Sequence, residues 1–101
     1  MGIKEQLKFK QHQKAQVEQR DTERLHENQK IVDEAVRELR EMGYSLKTNG
    51  APGDSVIVNH GGQFAFWATT SGIRVRGPFR QDSTLYYNVD SFHLALAEIL
   101  A

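Results

Sequence analysis

Four histidines, several serines and two aspartates at turn positions are the residues in this 101-residue chain that could do acid–base, nucleophilic or metal chemistry. Their spacing gives them no shared task. His12 and His26 stand fourteen positions apart in polar, helix-favouring sequence, His60 sits beside two glycines, and His93 falls near the C-terminus. None forms an i,i+4 pair with a third donor close by, the pattern a helix needs to present two imidazoles to one ion. Ser71, Ser83 and Ser91 lie near turns, with no nucleophile elbow and no neighbouring histidine base. Asp82 and Asp90 have turn and helix-cap roles open to them rather than an acid/base pairing. Gly61-Gly62 reads as a turn, because neither a lysine nor a helix start follows as in a phosphate-binding loop. With no cysteine, a disulfide scaffold, a thiolate zinc site and a cysteine nucleophile are excluded. The expectation is a non-enzymatic protein with no metal and no cofactor.

Binding chemistry is better represented. The stretch GGQFAFWATTSGIRVRG, residues 61–77, reads as two strands joined by a turn. Strand alternation sends Phe64, Phe66, Ile73 and Val75 to one face, together with Val56 and Val58 from a preceding strand. Ile57, Ala65, Trp67, Arg74, Arg76 and Tyr86 are expected on the other. Tryptophan, tyrosine and arginine are the types enriched at the energetic centres of protein interfaces. Aromatic platforms beside cations also suit stacked bases and phosphates of single strands. A third account is an ordinary wet sheet face, with the arginines solvating it and stacking on Trp67. Alternation alone leaves all three open, and Ile57, Trp67, Arg74, Arg76 and Tyr86 are the candidate contact residues.

A second candidate is the N-terminal arm. Residues 1–16 carry Lys4, Lys8, Lys10 and Lys14 against Glu5, a net of +3, whereas residues 17–42 carry five basic and eight acidic groups, a net of −3. The lysines could contact phosphates, or the arm could pair with the acidic helix of another copy, giving a homodimer through residues 1–42. The whole chain is neutral, with thirteen basic and thirteen acidic residues, so no overall field draws it to polyanions.

The elements that position these residues follow from periodicity. Residues 1–24 are glutamine-rich and helix-compatible but lack an apolar stripe, so they read as an extension rather than a coiled coil. From Leu25, apolar residues at Ile31 or Val32, Ala35, Val36, Leu39 and Met42 mark one helical face. Gly43 ends the helix, with Tyr44 able to pack back on Leu39. Short strands are expected at 44–47, 55–59, 63–69, 73–76 and within 83–89, separated by Asn-Gly, Pro-Gly and Thr-Ser-Gly turns. Asp90 or Ser91 is expected to cap a last helix whose inner face is Phe92, Ala95, Leu96, Ile99 and Leu100. The fold class is α+β: a long N-terminal helix, an antiparallel meander of three to five strands, and a short C-terminal helix. Residues 25–101 form the single domain and 1–24 its arm. No stretch reads as a signal peptide or a membrane span, and Gln6 stands where a myristoylation signal needs serine or threonine, so the expected location is the cytoplasm without membrane contact.

GQFAFWATTSGIRVRG, with AVRELREMGYSLK before it, resembles a hairpin and helix found in small phage and prophage accessory proteins. The similarity spans about residues 30–77, and departs from the common pattern at Ala68, where proline is usual, and at Ser71, inserted before Gly72. It implies no catalytic residues. It implies a protein that binds and disables a host protein, as anti-CRISPR inhibitors do. The α-β-β-β-α order is also similar to the double-stranded-RNA-binding domain, but Asp90-Ser91-Phe92-His93 stands where that fold carries phosphate-gripping lysines. A single-stranded nucleic-acid binder using Trp67, Arg74, Arg76 and the lysine arm is the alternative function.

Overall fold

A computed structural model describes the backbone of residues 3–101 and side chains from Asp21 onward. Helix α1 (Ile3–Glu41) leads into strands β1 (Ser45–Lys47), β2 (Val56–Asn59), β3 (Gln63–Ala68), β4 (Ile73–Arg76) and β5 (Thr84–Tyr86), and helix α2 (Val89–Leu100) closes the chain. The strands form one antiparallel sheet in sequence order, β1-β2-β3-β4-β5. The fold is α+β, as expected from strands run together between two helices.

Gly43 stops α1 with φ +94°. The Tyr44 amide donates to the Leu39 carbonyl and the Gly43 amide to the Arg40 carbonyl, each at 3.0 Å. These are the two bonds of a Schellman end, which needs a left-handed residue that glycine adopts without a Cβ penalty. Tyr44 packs against the cluster that contains Leu39.

Both helices lie on one sheet face, α1 over β1 and β3, and α2 over β4 and β5. Val32, Val56, Val58, Phe64, Phe66, Ile73 and Phe92 are fully buried between the layers. Phe66 and Phe92 meet edge to face with ring centres 5.4 Å apart, joining the central strand to α2. The expected alternation holds for Val56, Val58, Phe64, Phe66, Ile73 and Val75. Met42, placed on the same stripe by its spacing, lies one residue beyond α1 and is 60% exposed.

Two polar residues on the inner side of α1 fasten the loops. Buried Gln29 accepts from the Gly53 amide at 2.9 Å and donates to Asp33 at 3.0 Å. Asn28 donates to the Thr69 carbonyl at 2.8 Å. These bonds satisfy backbone groups that the helix would otherwise seal from water, where an unmet donor or acceptor costs about 1–3 kcal/mol.

α2 is capped two or three residues earlier than the sequence suggests, at Asn88 rather than Asp90 or Ser91. Asn88 is extended, and its side chain accepts from the Ser91 amide at 2.8 Å. Asp90 therefore sits in the first turn of α2, where a carboxylate complements the positive end of the helix, and Ser91 supplies the capped amide.

Candidate interaction surface

The surface opposite the helices is built by strand register, since residues directly paired across an antiparallel sheet share a face. One row runs Lys47, Ile57, Ala65 and Arg76. The next runs Trp67, Arg74 and Leu85. Four of the five candidate contact residues, Ile57, Trp67, Arg74 and Arg76, are thus brought together on one open face. Ile57, Trp67 and Arg74 are half-buried and Arg76 is exposed.

Tyr86 is the correction. It pairs with Ile73, a core residue, so it points toward the helices. There it packs on the core and helps line a cleft of about 440 Å³ with Val75, Ala95 and Ile99. Its neighbour Leu85, paired with Arg74, takes the open-face position instead.

Ala65 gives this face its relief. It lies in the open-face row yet is only 1% exposed. A methyl group between larger neighbours forms the floor of a shallow depression of about 340 Å³, walled by Trp67, Arg76 and the loop residues Gly53, Asp54 and Ser55. The rim carries one cation and one anion. The two arginines differ in their commitments. Arg74 donates to the Ser83 hydroxyl at 3.1 Å, which braces the loop before β5 against the sheet. The Arg76 guanidinium has no hydrogen-bond or ion-pair partner among the described residues.

The turn after β4 holds a residue that composition and periodicity did not single out. Phe79 is 91% exposed and has φ +62°. Pro78 precedes it, and the Arg80 amide donates to the Gly77 carbonyl at 3.4 Å. With Pro at the second position and positive φ at the third, this is a type II turn, whose third position normally takes glycine or asparagine. A bulky L-residue there costs about 1–2 kcal/mol. The sequence signal for the turn was Gly77-Pro78, but nothing in it marks the following ring as strained.

The remaining candidates do not converge. Lys4, Lys8, Lys10 and Lys14 lie outside the residues whose side chains are described, as does His12. The dimer expectation through residues 1–42 rests in part on the same segment. His26 and His93 are exposed, and His60 stacks edge-on against Tyr44 at 5.2 Å. The Ser83 hydroxyl accepts from Arg74, and Ser91 lies in the first turn of α2, where its backbone amide donates to Asn88. Among the described residues no group of three His, Asp or Glu side chains could hold a metal ion, and no helix is long and apolar enough to cross a membrane.

No known family, characterised protein or solved structure matches this chain.

Proposed function

We propose that this chain works by binding another protein through its open sheet face, without catalysis, and that the partner is a host protein which it inhibits inside the cell. One observation carries the reading: a half-buried tryptophan walls a depression floored by Ala65, on a face that neither helix covers. Tryptophan and arginine around a fitted hollow are the composition of an interface centre. The inhibitory role comes from the resemblance to phage accessory proteins and is tested separately, by loss of the partner's activity when the chain is added.

Single-stranded nucleic acid is the competing partner, favoured by Lys47, Arg74 and Arg76 on the same face. Two features weigh against it. Asp54 stands on the rim of the depression, where it repels phosphate, and the Arg74 guanidinium is half-buried against Ser83.

Trp67 is the only tryptophan in the chain, so its fluorescence reports on this face alone. Adding a twenty-nucleotide oligo-dT at low salt should leave the emission unchanged. A protein captured by the full chain from source-cell lysate should shift it on titration. Oligonucleotide quenching that weakens steeply with the logarithm of salt concentration would transfer the assignment to nucleic acid.

A further inference from the structure

We propose that the Gly77–Arg80 turn is a second anchor, which inserts the Phe79 ring into an apolar pocket rimmed by carboxylates on the protein partner. The inference rests on the protein-binding reading above and names a contact outside the sheet face.

Phe79 is the most exposed of the large hydrophobic residues on the described surface, at 91%, ahead of Tyr87 at 77%. Exposure of one apolar side chain is ordinary. Exposure combined with a left-handed backbone is not, because the position would accept glycine or asparagine without strain. The turn is nevertheless constrained at Pro78. Pro78 fixes one torsion, and the Gly77–Arg80 bond closes the loop. The ring also rests over Gly62, where a Cβ would come within 3.0 Å of the ring carbons Cε2 and Cζ and 3.2 Å of Pro78 Cβ. Bare backbone at Gly62 thus gives the ring a seat while leaving most of it in water. A side chain with two torsions, held on a proline-braced turn, loses little further freedom when a partner encloses it.

The surroundings indicate the chemistry of that enclosure. Arg76 and Arg80 flank the ring in sequence, both are exposed, and neither has an ion-pair partner among the described residues. Asp82, two positions beyond Arg80, balances that arginine within the loop, and Arg76 at the end of β4 supplies the excess positive charge beside the ring. A pocket that is apolar inside and carboxylate-lined at its mouth complements this arrangement. Arg76 lies on the open face opposite Ala65, whereas Pro78 and Arg80 of the turn help line the cleft with Tyr86, Ala95 and Ile99 on the helix side, so the turn is a contact separate from the Trp67 surface.

The test uses the full chain, the protein it captures from source-cell lysate, and oligo-dT as the competing probe. Phe79→Gly should raise the melting temperature by roughly 2–5 °C, as relief of the left-handed position outweighs the greater unfolded-state entropy of glycine. The same change should weaken partner affinity about thirtyfold, the size expected of an interface anchor. Arg80→Glu should slow association and reverse the salt dependence of its rate. Unchanged affinity for Phe79→Gly, with Trp67→Ala still weakening binding, overturns the anchor and leaves the sheet-face reading standing. Unchanged affinity for both variants overturns both, as does failure of the wild-type chain to capture any protein. Oligo-dT binding that depends on Phe79 overturns the protein pocket in favour of base stacking.

Discussion

Gly72→Ala should detach strand β5 from the sheet and lower the melting temperature by roughly 10–25 °C, a loss of about 2–4 kcal/mol. The added methyl would collide with the Tyr86 carbonyl oxygen, and it would lie 3.2 Å from the carbonyl carbon and 3.3 Å from Leu85 Cδ1. Two of these three atoms are backbone, so no side-chain rotation relieves the contact. Nor can the turn give way cheaply. The Thr69 hydroxyl accepts from the Gly72 amide at 3.0 Å and from the Ser71 amide at 3.2 Å, and donates to the Gly72 carbonyl at 2.9 Å. The Thr69 amide donates to the same carbonyl at 2.7 Å. One side must move, and β5 is a three-residue edge strand whose one neighbour within the sheet is β4. Thermal denaturation followed by circular dichroism measures the effect, and a midpoint within about 3 °C of wild type would show that the close approach is dispensable.

Phe66→Ala should cost about 3–5 kcal/mol, the usual range for removing a fully enclosed aromatic. Phe66 has no exposed surface, sits on the central strand between Val56 and Val75, and carries the edge-to-face contact with Phe92. The cavity would open between sheet and α2, the layer contact that keeps the short C-terminal helix in place. Small domains have about 5–15 kcal/mol in total, so this change takes a large share of it. Chemical denaturation should show a clear fall in midpoint with cooperative unfolding lost or weakened. A shift under 1 kcal/mol would mean that Phe66 is not at the centre of the core.

The fold could be read from the sequence wherever a local rule coincided with burial. The stripe from Leu25 to Leu39 and the glycine after it fixed the end of α1, because the Schellman bonds need only Gly43 and the carbonyls just before it. Alternation in β2, β3 and β4 fixed which side chains meet the helices. It failed for β5 because the polar loop at 77–83 sets that strand's register, and a slip of one residue turns Tyr86 over and brings Leu85 to the open face. The cap of α2 was misplaced for a related reason. Asn88, Asp90 and Ser91 all have capping side chains, and only the extended backbone at Asn88, φ −139° and ψ 161°, decides among them. Of the candidate surface, Ile57, Trp67, Arg74 and Arg76 were legible from alternation. The hollow over Ala65 was not, since alternation gives a residue's side and not the height of its neighbours. Phe79 was hidden because its environment depends on the contact with Gly62, fifteen or more residues earlier in the chain.

On the proposed function, Trp67 stands at the surface for a partner and not for the core. Measuring Trp67→Ala against wild type, by calorimetric titration with the captured partner and by thermal melting of the free chain, tests it most directly. The expected result is a loss of about 2 kcal/mol or more in binding, with a melting temperature lowered by only a few degrees, as suits a half-buried side chain with no helix over it. A melting temperature that collapses while affinity per folded molecule is unchanged would contradict the claim and make Trp67 a structural residue.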